Sequence, residues 1–230
     1  MYVNPLYAER ELGVLHEMIE DARFGLLVLC AGGPLAAHIP FVLRREEGPN
    51  GTLLAHVARI DPLARHLGEA QGAHEAHEGH EGHEALDGRE ALAIFSGPKA
   101  YVSPQWYEGG GLRGGGLPTY NFLAVHVHGR PRLLEDRDEV LAYLAELVDV
   151  HEQRFSSPWS LASAAEDHVD ELLPHIVAFR LEIEAIQGKR KLSQNKTAED
   201  RDGVIRGLRA RASDDQEAIA AAMIAQAPRD

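Results

Sequence analysis

Two periods of hydrophobic spacing alternate along this chain. Leu12, Leu15 and Ile19 recur at helical spacing with charges between them, which predicts an amphipathic helix ending near Arg23. Asn4-Pro5 ahead of it reads as the helix start, a capping amide followed by a proline that needs no donor. Three strand-like runs follow, over residues 24–31, 35–43 and 52–59, separated by the Gly32-Gly33-Pro34 turn and a charged, glycine-rich loop. Asp61-Pro62 then opens a short helix through Leu67.

Beyond it the pattern lapses. Residues 68–89 read GEAQGAHEAHEGHEGHEALDGR and hold almost no large apolar side chain, too few to offset ordering entropy. They are expected to form a disordered, His-rich insertion. A strand resumes over residues 90–96, Gly97-Pro98 is expected to break it, and residues 100–102 form a short strand. A glycine-rich loop leads to a long strand over residues 121–134, with Ala124, His126 and His128 on one face and Val125 and Val127 on the other. Helices are predicted over residues 136–151 and 165–172. A strand covers residues 176–186, with Phe179, Leu181, Ile183 and Ala185 on one face. A basic turn over residues 188–196 and two helices finish the chain, and Ser213 with Gln216 forms a capping box for the last. Strands joined by short turns, without alternating βα units, predict an α+β fold, mainly β. About six antiparallel strands can close into a barrel.

Composition narrows the classes. Of 230 residues, 44% are apolar and 26% charged, which are globular values. The net charge of −13 opposes non-specific binding to phosphate backbones. Cys30 is the single cysteine, so an intrachain disulfide framework and a four-cysteine zinc site are excluded. No secretory signal is read at the N-terminus, and the longest apolar run is far short of the roughly 20 residues of a spanning helix. A cytoplasmic, non-membrane protein is expected.

Four constellations could carry chemistry. His74, His77, His80 and His83 recur every third residue, each followed by glutamate; a solvated linker is the favoured reading over a metal site. His38, His56, His126 and His128 lie in or beside strands, where a satisfied structural role is commonest. The stretch from Gly188 to Arg211 holds eight basic and three acidic side chains against the global trend, which suits an anionic ligand or a solvated face equally. Finally, residues 101–107 and 118–122 concentrate aromatic rings and amides, a combination that suits a planar heterocycle or a core-lining loop. No dinucleotide-binding glycine fingerprint, phosphate-binding loop or nucleophile elbow occurs.

Read in order, eight segments resemble one family. They are Met1-Tyr2-x-x-Pro5; Phe24-Gly25-Leu26-Leu27-Val28; Ala37-His38-Ile39-Pro40-Phe41; His56-Val57-Ala58-Arg59; Phe95-x-Gly97-Pro98-x-Ala100-Tyr101-Val102-Ser103-Pro104-x-Trp106-Tyr107; Pro118-Thr119-Tyr120-Asn121; Ala124-Val125-His126-Val127-x-Gly129; and Gly188-Lys189-x-Lys191-Leu192-Ser193-Gln194-Asn195. This resembles the PaiB family of FMN-binding negative transcriptional regulators.

The resemblance implies an antiparallel FMN-binding split β-barrel with peripheral helices, forming a homodimer with FMN at the subunit interface. It implies a barrel domain over residues 1–187, with residues 188–230 packed on the barrel or on the dimer partner. It makes Arg59 the first candidate for the FMN phosphate, with Lys191 and Ser193 at the same or the facing site. His38, Pro40 and Phe41 would line the ring, Trp106, Thr119 and Asn121 would close over ring or ribityl chain, and Gln194 and Asn195 would reach across the dimer. The chain departs from the family pattern at Gln105, at Tyr120-Asn121-Phe122 and at Arg190. Three functional classes follow: a flavin-linked regulator or sensor, an FMN-dependent oxidoreductase of a small molecule, and a haem- or metal-binding split barrel. Direct DNA binding is disfavoured by the charge.

Overall fold

The computed structural model describes residues 1–30, 33–72, 90–108, 116–211 and 213–226. The described residues form ten strands: β1 (Ala8–Glu9), β2 (Phe24–Cys30), β3 (Pro34–Pro40), β4 (Val42–Arg44), β5 (Thr52–Ala58), β6 (Ala91–Val102), β7 (Thr119–Gly129), β8 (Pro131–Leu133), β9 (Ile176–Glu182) and β10 (Ala185–Lys191). Six α-helices accompany them: α1 (Leu12–Ala22), α2 (Pro62–Gly72), α3 (Arg137–Glu152), α4 (Glu166–Leu172), α5 (Ala198–Arg209) and α6 (Asp214–Ala225). The fold is α+β, mainly antiparallel β, of the split-barrel class, and its sheets are not closed into one barrel. No described helix is long and apolar enough to cross a membrane.

The chain divides into two compact units. The first comprises Met1–Met18, Ser96–Val125 and Gln187–Asp230, the second Ile19–Phe95 and His126–Ile186. Strands β6 and β7 contribute to both.

In the second unit β2 and β3 form a hairpin, and the early part of β6 pairs with the other side of β2. Strands β4, β5, β9 and β8 make a separate four-stranded sheet in that order. The chain crosses between these sheets at Phe41. Pro40 has no N–H to continue a ladder, and the Phe41 N–H donates to the Arg23 carbonyl at 2.7 Å instead. The single strand expected over residues 35–43 is therefore two. Phe41 packs edge-on against Phe95 at 5.1 Å. A Cβ at Gly25 would lie 3.1 Å from both rings, which is why that position carries none. A further core of Val42, Leu54, Leu134, Tyr143 and Ala178 receives Val140, Leu144 and Leu147 of α3. Helix α3 begins at the Asp136 carboxylate, which accepts from the Asp138 and Glu139 N–H groups.

In the first unit β1 pairs with β10, matching Ala8 to Lys189 and Glu9 to Gly188. Helices α5 and α6 cover a core of Ala100, Val102, Tyr107, Leu192, Val204, Leu208, Ile219, Ala220 and Met223. Thr197 caps α5, and the predicted Ser213–Gln216 capping box starts α6. Buried Arg201 joins the two helices by donating to the carbonyls of Leu192, Met223 and Gln226. Gly203 and Gly207, one turn apart, make room for Trp106: a Cβ at Gly203 would come within 2.0 Å of the Trp106 carbonyl oxygen.

Several boundaries differ from expectation. Asn4-Pro5 starts only a 3-10 turn over Pro5–Tyr7, because β1 intervenes before α1. Gly97-Pro98 does not break β6. The pairing with β2 covers Ala91 to Ile94 alone, so the donor that Pro98 lacks is not needed on that side. The long strand expected over residues 121–134 is divided between β7 and β8 after Gly129, where any Cβ would meet the Glu182 carbonyl oxygen at 2.1 Å. The strand expected over residues 176–186 ends at Glu182, and the first four residues of the basic turn, 188–191, belong to strand β10. Helix α2 runs past Leu67 to Gly72. The remainder of the expected insertion, residues 73–89, lies outside the described residues.

Candidate functional site

Each unit carries a cation-lined cavity, and the residues singled out by the sequence divide between them.

In the second unit β5 ends at Ala58 and the chain turns through Arg59-Ile60-Asp61 into α2. The Asp61 carboxylate accepts the Leu63 N–H at 2.9 Å and so caps the helix. Arg59 is held along its length. Its backbone N–H donates to the His175 carbonyl at 2.8 Å, its Nε to the Pro174 carbonyl, and its Nη2 to the Ile176 carbonyl at 2.9 Å. It borders a cavity of about 680 Å³ that Arg65, His66 and Asp61 also line, with Ile60, Pro62 and Val177 as apolar wall. On its other side is a cavity of about 540 Å³ with Leu133, Leu134, Val140 and Leu173 in its lining.

The other second-unit candidates lie on and beside β3. His38 is exposed, faces Leu26 in register, and stacks on exposed Phe24 with ring centroids 6.2 Å apart. Pro40 is half-buried, and the Phe41 ring is in the core. Strand β3 ends its sheet, so along its outer side no strand among the described residues pairs with its backbone. His56 is half-buried. Its Nδ1 meets the Tyr143 hydroxyl at 2.8 Å, burial pushes its imidazole below the ordinary value, and burial pushes the Tyr143 phenol up.

In the first unit Thr119, Asn121, Lys191, Ser193 and Asn195 come together around a cleft of about 340 Å³, with Tyr107 and Lys196. Asn121 is fully buried. Its Nδ2 donates to Ser193 Oγ at 2.9 Å and contacts Met223 Sδ at 3.4 Å, while Ser193 Oγ donates back to Asn121 Oδ1. Ser193 holds φ at +61° to close the turn after β10. Gln194 is folded back on that turn, accepting the Leu192 N–H at 2.7 Å and donating to the Arg190 carbonyl, so its amide is internal. Lys191 donates to Thr119 Oγ1, and burial, then repulsion from Lys189, pushes its ammonium down. The Lys196 ammonium stands 4.2 Å from the Tyr107 ring centroid. Trp106 is not in this lining; it packs on α5 with the Arg211 guanidinium 5.6 Å from its ring.

Sequence reasoning missed Tyr107, Lys196, Arg65 and His66 as site residues. Tyr107 and Lys196 were visible as part of the aromatic cluster and the basic stretch. What distinguishes Tyr107 is tertiary: only 6% exposed, its hydroxyl has no hydrogen-bond partner among the described residues.

The basic stretch is also engaged locally. Arg190 pairs with Glu9, Arg206 with Glu108 and Arg209 with Glu217. Lys189 lies 5.3 Å from the Phe122 ring centroid, and Arg201 is buried on carbonyls. No group of three or more His, Cys, Asp or Glu able to hold a metal occurs among the described residues, and the His74, His77, His80 and His83 repeat lies outside them.

Comparison with known proteins places the chain among flavin proteins. The sequence model of the family described as "Putative FMN-binding domain" matches residues 1–185. An uncharacterized protein of Emericella nidulans is 32% identical, over 96% of this chain and 95% of its own length. The protease synthase and sporulation protein PAI 2 of Bacillus subtilis is 26% identical, over 90% of this chain and 89% of its own. Among solved structures, the FAD and heme binding protein from Mycobacterium smegmatis superposes with a TM-score of 0.53 at 14% identity, covering 85% of this chain and 78% of that one. That last likeness shows the fold.

Proposed function

This chain belongs to the family of FMN-binding domains whose model spans residues 1–185, and from that premise we propose that the second unit holds the flavin. Arg59, with Arg65 and His66 across the same cavity, receives the FMN phosphate. A phosphate needs clustered, oriented donors. The observation that carries this reading is the fixing of Arg59 by three carbonyls at the mouth of a cavity of about 680 Å³. The ring lies along the outer side of β3, where backbone groups that no described strand pairs can bond its polar edge and the exposed Phe24–His38 pair offers a flat apolar surface. Bound FMN supplies reversible electron transfer. The chain's own part is to bind, orient and limit access.

A second copy of the chain completes the site. Ile60 is 95% exposed beside the cavity, and Phe24 is 56% exposed on the neighbouring hairpin, which a partner surface would cover. A regulatory role is read as acting through a protein partner. The net charge is −13 and the basic stretch is engaged within its own unit, so direct DNA binding is disfavoured.

Flavin titration followed by absorbance tests the reading. Arg59→Met is expected to weaken FMN about tenfold or more while leaving riboflavin, which lacks the phosphate, unchanged. Equal FMN affinity in the variant would remove Arg59 from the site. Native mass measurement of the FMN-loaded protein tests the dimer, and a lone monomer counts against it.

A further inference from the structure

We propose that Arg137 and Asp170 are positioning residues for the flavin phosphate: their ion pair clasps α4 to α3 and so fixes the turn whose carbonyls aim Arg59. The inference rests on the Arg59 reading given above and extends it to residues that do not themselves meet the flavin.

The first argument is the aim of Arg59. It is an exposed residue, so hydrogen bonds rather than core packing direct it. Its three acceptors are the carbonyls of Pro174, His175 and Ile176, consecutive along the chain. They belong to a 3-10 turn over Leu173–His175 and to the first residue of β9. A guanidinium held by carbonyls is only as still as the backbone that carries them. Pairing with Ala58 already holds Ile176. The Pro174 end needs another support.

The second argument is what supports that end. The turn continues directly from α4, and neither the helix nor the turn contains a buried residue. Val169 and Leu173 are half-buried and the rest of both elements is exposed, so apolar packing anchors this segment weakly. Arg137 supplies a tether. Its Nη2 donates to Asp170 Oδ1 at 2.5 Å, from the first position of α3 to the last turn of α4. Both side chains line the cavity of about 540 Å³ beside Arg59, together with Leu173 and Pro174.

The third argument is the sign of the charges. The first turn of a helix favours anions and the last turn favours cations. Arg137 is a cation at the start of α3, and Asp170 is an anion near the end of α4. Each is unfavourable to its own helix. Helix stability therefore accounts for neither, whereas pairing accounts for both.

Titration of the full chain with FMN and with riboflavin, followed by flavin fluorescence, tests the proposal. Arg137→Gln and Asp170→Asn should each weaken FMN about three- to fivefold, the scale of a half-exposed ion pair, and leave riboflavin unchanged. The melting temperature of the flavin-free protein should not fall, because each variant also removes a charge its helix disfavours. The double variant should bind FMN as the single ones do, since all three remove one clasp. Were Arg137 to meet the phosphate itself, Asp170→Asn would free it and FMN would bind as tightly or more so. That result overturns the proposal, and so does unchanged FMN affinity in both single variants.

A second measurement separates this inference from the reading beneath it. Solvent exchange of the Arg59 Nε–H, followed by NMR in the flavin-free protein, should quicken severalfold in both variants, while the Leu54 amide on β5, paired on both sides, stays protected. If exchange quickens but Arg59→Met leaves FMN affinity unchanged, the clasp on Arg59 stands and the phosphate reading alone fails. If Arg59→Met weakens FMN while neither affinity nor exchange moves in the clasp variants, this inference alone fails.

Discussion

The two cavities hold positive charge by opposite means. At Arg59 the guanidinium is locked by backbone carbonyls, and its cavity is wide and walled partly by apolar side chains. At Lys191 and Lys196 the ammoniums rest on a hydroxyl and a ring, and the cleft is half the volume. Carbonyls aim a cation without neutralising it, whereas a ring and a hydroxyl leave it poorly compensated. The difference teaches that a strongly acidic chain can still present focused positive sites, because the local partners of a cation decide its availability and the net charge does not.

The comparison breaks most sharply at Gly203. Gly203→Val puts a side chain into the Trp106 carbonyl. It is expected to cost about 3 kcal/mol or more in urea unfolding and to distort the cleft, with FMN uptake through Arg59 retained. Loss of FMN uptake by the folded variant would show that the two cavities do not stand on separate supports. Arg201→Met strips the buried cation from three carbonyls and is expected to cost about 2–4 kcal/mol, again with FMN uptake retained.

A pH series sharpens the second-unit side. Burial holds folded His56 below its ordinary value of 6.5. Below that pH the unfolded chain binds more protons than the folded one, so stability falls as the solution is acidified through the window between the two values. His56→Gln, which still offers the Tyr143 hydroxyl a polar partner, should flatten the acid limb of a melting-temperature profile. An unchanged limb would show that His56 does not set it. The smallest effect is expected at the cap of α6, where Ser213→Ala should cost about 1 kcal/mol by thermal unfolding.

Much of the fold was legible because single segments specify it. The apolar run of β2, the alternation that buries Val125 and Val127 but not His126 and His128, and the Ser213–Gln216 box all follow from neighbouring residues. The division at Phe41 was not, since it depends on a backbone bond to Arg23. The continuity of β6 through Gly97-Pro98 was hidden for a related reason: whether a missing donor matters depends on which neighbour is present. Of the candidate site, the motif containing Lys191 and Ser193 was readable, and so was the one containing Thr119 and Asn121. That they meet, and that Tyr107 leaves its hydroxyl unbonded beside them, arises only once β7 and β10 are in place.

The turn after β10 has a kinetic consequence. Ser193 is locked to Asn121 and Gln194 to the backbone of Arg190 and Leu192, so the rotamers there are frozen when the protein folds. A visiting molecule meets a rigid receptor and forfeits little disorder on arrival. Capture at this turn should therefore run at rates set by diffusion and long-range attraction, and differences among related visitors should appear in how long each one stays.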